Sequence, residues 1–241
     1  MSEEFWWKHC GFFYKAAIRC KLVQNVHRGF FEALDRLNLP PGIKVLDAGC
    51  GTGNSTFPLA ERGFNVLAID FGLSVINQAR ALNLKKYHFT RIRFGLMDLS
   101  RNLPIKDNAF DLVASLHCIM KVKNVDLTLK EFYRILKPGG RAVISTTPDS
   151  YTIPQWLMLY AAEHGWLKTF WDIRWLIAWA IPYFVFTSRS ERRNEHRWDE
   201  KEFSLRMENA GFRTLHMKRE PYINVGCLIG VFEKPGKTPG A

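Results

Sequence analysis

The chain has no cysteine pair of the C-x-x-C kind: Cys10, Cys20, Cys50, Cys118 and Cys227 are odd in number and widely spaced. Such spacing supports neither a disulfide framework nor a zinc site, so no metal is expected and a reducing, cytoplasmic setting is. Long apolar runs are missing as well. The longest, Leu176 to Phe186, contains Pro182 and falls short of the ~20 residues a spanning helix needs. At the start, Glu3 and Glu4 precede aromatics, where a secretory signal would carry a basic stretch and an apolar core. No internal repeat or low-complexity tract appears, and a hydrophobic content of 47% speaks against disorder. Acid is in short supply. Lys and Arg number 34 against 23 Asp and Glu, a net charge of +11 that favours contact with a polyanion, either nucleic acid or an anionic membrane face.

What is present reads as one domain with an elaboration, since 241 residues bury a substantial single core. Residues 1–40 carry mixed three- and four-residue apolar steps and predict amphipathic helices, ended by Pro40, Pro41 and Gly42. Over 43–147 short apolar runs alternate with helical patterns. The strands predicted there are Lys44–Ala48, Asn65–Asp70, Ile92–Leu96, Phe110–Ser115 and Arg141–Thr146, with helices over Ser55–Arg62, Ser74–Leu82 and Val125–Leu136. Five strands separated by helices predict an α/β fold with a doubly wound, mostly parallel sheet. Residues 148–199 form an aromatic and basic insertion after the fifth strand. Over 200–233 a last helix, Glu200–Asn209, precedes two strands close enough to pair as an antiparallel hairpin, which gives seven strands and an antiparallel edge. A loose tail, 234–241, ends the chain.

The chemistry concentrates at the carboxyl ends of the first strands. Asp47 closes an apolar strand directly before Gly49, Cys50, Gly51, Thr52 and Gly53, and a helix follows. Glycines there let the backbone turn sharply and approach a ligand, and the helix start offers unpaired N–H groups. The spacing G-x-G-x-G by itself serves any nucleotide. Asp70, ending the second strand, suits a ribose diol because a carboxylate accepts two hydrogen bonds, and Asp98, after the third, suits an adenine amine. The alternative for Asp70 and Asp98 is a helix cap or turn role.

The runs VLDAGCGTGN, LAIDFG, GLMDL, NAFDLVAS and YRILKPGGRAVIST, in this order, resemble the class I methyltransferase family. That resemblance implies S-adenosyl-L-methionine as cofactor, with the loop Asp47 to Gly53 (Gly49, Cys50, Gly51 and Gly53 among it) around the methionine moiety. It also implies Asp70 at the ribose, Asp98 with Met97 at the adenine, Phe71 among the cofactor-binding residues, and a backbone contact from Leu116. The segment FFYKAAIRCKLVQNVHRGFFEAL is loosely similar to the entry helices of ubiquinone- and menaquinone-type C-methyltransferases. Tyr14 would then lie over the donor, with His27 and Arg28 as the matching pair, and core packing is the other account of Tyr14.

Methyl transfer from a sulfonium needs positioning more than acid or base, so the sequence leaves the methylated atom open. After the fourth strand stands Ser115-Leu116-His117-Cys118, without the [DNS]-P-P-[YFW] tetrapeptide similar to that of amino-methylating enzymes and without a Pro-Cys pair. Cys118 reads as a buried small residue. His117 is the catalytic candidate, as a base or as a group that positions the acceptor, with a backbone-bonded histidine as the alternative. His164 and His196 are further candidates to enter a closed site. The aromatic crowding over Tyr151 to Phe186 favours a hydrophobic small-molecule acceptor (quinone, lipid or aromatic metabolite) near a membrane surface, with the protein peripheral there. An RNA or protein acceptor on the basic face and a non-catalytic cofactor-binding module are the other readings. Oligomeric state is not legible.

Overall fold

The computed structural model describes residues 21–147, 158, 161–162, 164–171, 174, 196–220 and 227–236. Tyr14, most of the aromatic insertion and most of the basic run Arg189 to Arg197 lie outside the described residues. Seven strands form one sheet in the order β3-β2-β1-β4-β5-β7-β6. They are β1 (Lys44–Ala48), β2 (Asn65–Asp70), β3 (Ile92–Leu96), β4 (Phe110–Ser115), β5 (Leu136–Thr146), β6 (Arg213–Glu220) and β7 (Cys227–Glu233). The α/β, mostly parallel sheet predicted from the alternation is the one observed. The strand order reverses between β1 and β4, so a crevice opens beyond the carboxyl ends of those strands.

The helices complete among the described residues are α1 (Lys21–Asp35), α2 (Thr56–Glu61), α3 (Leu73–Leu82), α4 (Val125–Ile135) and α5 (Glu200–Asn209). Helix α1 buries Val23, Val26, Phe30, Ala33 and Leu34, the three- and four-residue rhythm that predicts it. Side chains alternate across the sheet, so Val45, Val66 and Val143 pack on the α1 face while Leu46, Ile69 and Ile144 pack on the α4 and α5 face. Helix starts are capped where the sequence offers a carbonyl or carboxylate: Asn124 Oδ1 accepts the Leu127 N–H at 3.2 Å and Asp199 Oδ1 the Glu202 N–H at 2.8 Å.

Two boundaries differ from the expectation. Strand β5 begins at Leu136, ahead of Pro138 and Gly139, because Phe110 pairs with Leu136 across a bulge before regular pairing starts at Leu112 and Arg141. Strand β7, the one antiparallel strand, lies second from the rim: it pairs antiparallel with both β5 and β6, and β6 forms the edge. The rule that a short connection forces antiparallel pairing holds, but it does not say which hairpin strand meets β5. That is decided by burial. All of β7 is buried, whereas β6 carries Arg213, Lys218 and Arg219 and tolerates the rim.

Candidate cofactor and acceptor site

The loop after β1 is tied to β2 from both sides. The N–H groups of Gly49 and Cys50 both donate to the Ile69 carbonyl at 2.9 Å, and the Gly53 N–H closes a turn onto the Cys50 carbonyl at 2.9 Å. Gly49 has φ +79°, and a Cβ there would overlap the Cys118 side chain, so the loop can pass only as glycine. Gly51 differs: its φ is +52° and a Cβ would meet nothing within 4 Å, which leaves open space beside the backbone at the crest of the loop.

The two carboxylates of the site have separate tasks. Asp47 is fully buried, and it accepts the Ser55 hydroxyl at 2.8 and 2.9 Å and the Thr56 hydroxyl at 2.6 Å. It therefore pins the start of α2 to the end of β1 and fixes the loop between them. Burial pushes its carboxyl up to about 6, against the pull of those two hydroxyls and with a further push from the Asp70 charge. Asp70 faces the loop crest. Its Oδ2 accepts the Gly51 N–H at 3.0 Å and its Oδ1 the Gly72 N–H at 2.9 Å. Burial raises its pKa as well, opposed by those backbone donors. A carboxylate has about four acceptor positions, so Asp70 keeps capacity for a diol.

Beyond β3 the Met97 N–H donates to the Asp70 carbonyl at 3.0 Å, which brings Met97 and Asp98 alongside the end of β2. Asp98 is exposed. Its Oδ1 accepts the Ser100 N–H at 2.9 Å and its Oδ2 lies 3.4 Å from Arg101, so a turn role and an outward-facing acceptor coexist. Phe71 and Leu96 are exposed apolar side chains at the same end of β2 and β3. An open glycine crest, a carboxylate next to it that three backbone N–H groups leave with spare acceptor capacity, and exposed apolar side chains beyond fit the methionine, ribose and adenine portions of an S-adenosylmethionine molecule in that order.

On the other side of the crevice Leu116 is buried and His117 adopts φ +54°, a conformation rare for any residue but glycine. It is held there by the Ser145 hydroxyl, which accepts the His117 N–H at 2.8 Å. Burial depresses the His117 imidazole to about 3, helped by His27 and Lys121, and burial takes His27 on α1 down to about 4. A ring with so low an affinity for protons is neutral at pH 7 and a poor general base, so of the two roles read from sequence the positioning role fits the geometry. Cys50 is buried and Cys118 partly so, and desolvation pushes both thiols up, which leaves them protonated and unreactive. His196 donates its N–H to the Met120 carbonyl and its ring meets the Val122 carbonyl at 3.0 Å, a packing role beside Trp198. His164 lies in the insertion and is half-buried.

Sequence reading missed Ser55, Thr56 and Ser145, and it named His27 only through the entry-helix resemblance, not as a neighbour of His117. The hydroxyls directly after the glycine loop were a usable signal, because a buried strand-end carboxylate requires donors. Nothing in the spacing between residues 27 and 117 or between 117 and 145 announces that they meet.

Residues 46–144 match the methyltransferase domain family. Phosphoethanolamine N-methyltransferase 3 of Arabidopsis thaliana is 35% identical over 117 residues, 47% of this chain and 23% of the relative. Demethylmenaquinone methyltransferase of Paenarthrobacter aurescens is 35% identical over 127 residues, 53% of this chain and 47% of the relative. The chain thus spans between a quarter and a half of the curated relatives it matches. Among solved structures, a putative methyltransferase in complex with the Haloferax volcanii Trm112 methyltransferase activator superposes with a TM-score of 0.67 at 18% identity, covering 98% of this chain and 99% of that one. Phosphoethanolamine N-methyltransferase 2 of Haemonchus contortus, bound to S-adenosylmethionine, gives 0.62 at 16% identity over 86% and 52%. Residues 46–144, less than half of the chain, thus match a methyltransferase domain, and the sheet as a whole has the fold of the S-adenosylmethionine-dependent methyltransferases among its structural neighbours.

Proposed function

We propose that this chain transfers the methyl group of S-adenosylmethionine to a hydrophobic small molecule, a quinone, lipid or aromatic metabolite, taken up at a membrane surface. The observation that carries the acceptor class is the helical turn 166–171. Trp166, Leu167, Phe170 and Trp171 lie on one face of it and point outward, Leu167 with 91% of its surface exposed, while Thr169 faces in at 1%. A helix in water buries such a stripe, so an exposed one calls for an apolar neighbour. Arg174 stacks its guanidinium 4.0 Å from the centre of the Trp171 ring, and Lys168 is exposed on the same turn. Rings and cations together suit the headgroup region of a membrane. No helix among the described residues is long and apolar enough to cross one.

In this reading Asp47 shapes the loop, the N–H groups of the crest and Asp70 hold the methionine and ribose portions, and Asp98 with Met97 and Phe71 receives the adenine. Bound there, S-adenosylmethionine supplies a methyl already activated on a sulfonium. The protein's work is to align the acceptor and keep water away. His117, buried and neutral at the end of β4, accepts a hydrogen bond from the acceptor and stores no proton.

The test is methyl-labelled S-adenosylmethionine supplied to extract with the purified protein, followed by separation into lipid, RNA and protein fractions. Label in the lipid fraction, reduced at least tenfold by His117→Ala while cofactor affinity stays within twofold, is the expected result. Label confined to RNA or protein overturns the acceptor class. Undiminished transfer by the variant removes His117 from the site.

A further inference from the structure

From Phe71 to Met97 the chain contains five cations, Arg80, Lys85, Lys86, Arg91 and Arg93, and not one Asp or Glu. The fold gathers this stretch at one rim: α3, the π-helical turn Asn83–Tyr87 and β3, the outermost strand of the sheet. All five cations are exposed, and none forms an ion pair among the described residues. Elsewhere Arg62, Arg134 and Arg206 each hold a carboxylate.

The rim also keeps backbone groups without a partner among the described residues. Strand β3 pairs with β2 alone, and the Val66 N–H donates to the Arg91 carbonyl at one end while the Met97 N–H donates to the Asp70 carbonyl at the other. In a parallel ladder the residues between alternate, so Arg91, Arg93, Gly95 and Met97 bond inward and Ile92, Phe94 and Leu96 turn their N–H and carbonyl groups outward. One of those carbonyls, that of Phe94, receives the Arg80 guanidinium at 2.9 Å. The outward N–H groups have no acceptor among the described residues. Leu84, in the π-helical turn, stands 74% exposed.

We propose that this rim is a docking edge for an extended acidic segment of a partner protein, which adds to the sheet beside β3. The outward N–H groups give main-chain pairing, and the five unpaired cations select an acidic strand. The same charges repel a second copy of this edge, so it is guarded against self-association and open to a partner of opposite sign. A nucleic-acid phosphate chain would use the cations but would leave the regularly spaced strand donors and Leu84 unmatched. The rim lies away from His117 and is independent of the acceptor class.

The probe is a short synthetic peptide alternating glutamate and valine, with its lysine and valine counterpart as control, measured by calorimetry and amide hydrogen exchange on the full chain. The acidic peptide is expected to bind, to weaken as salt rises, and to slow exchange at Ile92, Phe94 and Leu96. The variant Lys85→Glu, Lys86→Glu, Arg91→Glu and Arg93→Glu should lose at least tenfold in peptide affinity while binding S-adenosylmethionine normally, which also shows that it folds. Binding without protection of those three amides means ionic association only and overturns the proposal. So does no binding, equal binding by the variant, or displacement of the peptide by RNA or anionic vesicles at lower concentration.

Discussion

Asp47 and Asp70 end neighbouring strands of one sheet, yet their surroundings give them different work. Asp47 spends its acceptor capacity on Ser55 and Thr56, so the sequence pattern that marks it as a site residue reports a loop-shaping role. Asp70 spends only part of its capacity, on the N–H groups of Gly51 and Gly72. Replacing Asp70 with alanine removes the diol acceptor and releases the loop crest. Loss of charge-assisted hydrogen bonds of this kind costs on the order of 1.5 to 3 kcal/mol, about 10- to 150-fold in affinity. Calorimetry with S-adenosylmethionine reads it directly. Asp70→Asn, which keeps one oxygen, should fall between, and wild-type affinity in the alanine variant would take Asp70 out of the site. The glycines and acids of this region were legible because each is dictated by its immediate neighbours in the chain. The burial of His117, which makes it neutral, was not, since it depends on Ser145 and His27 arriving from distant segments.

At the scale of elements the strands were read nearly to the residue wherever an apolar run ends in a glycine or an acid, as at Asp70 and Leu96. The start of β5 was not, because Lys137-Pro138-Gly139-Gly140 has turn composition and only its pairing with Phe110 makes it strand. The turn 166–171 poses the same problem in another form: a helical stripe of four large apolar residues is visible in sequence, but whether it turns inward depends on what the fold offers to cover it. The outward orientation leads to a specific expectation. Purified protein should co-sediment with vesicles containing anionic lipid at low salt and release as salt rises. Leu167→Glu combined with Phe170→Glu should abolish that association and leave cofactor affinity unchanged, as the turn takes no part in the loop or its acids. Wild-type protein that stays in the supernatant at low salt removes the membrane from the proposed function.

For the whole molecule, His27, His117 and Asp47, the groups near the crevice most strongly shifted in the acid range, set opposing dependences of stability on pH. His27 and His117 have folded pKa values of about 4 and about 3, below the 6.5 of an unfolded imidazole. The unfolded chain therefore binds more protons as pH falls below 6.5, and each histidine draws stability away over that range. Asp47 has the opposite sign: its folded value of about 6 lies above the unfolded 3.8, so stability is lost as pH rises through 6 and regained on acidification. Between pH 6 and 4.5 two histidines act against Asp47, whose sign Asp70 shares. Each group is worth about 1.4 kcal/mol per pH unit in its window, so the native protein should lose on the order of 2 to 3 kcal/mol between pH 6.5 and 4.5. The carboxylates held down by arginine, Asp35, Glu131 and Glu233, lose their partners' help only below that range. With His27→Gln and His117→Gln in one chain, Asp47 and Asp70, both raised by burial, act unopposed and the slope should change sign, the variant gaining stability as pH falls from 6.5 to 4.5. Denaturant unfolding at a series of pH values measures both slopes. A variant that loses stability on acidification as steeply as the native protein would show that these histidines are not the buried neutral groups of the fold.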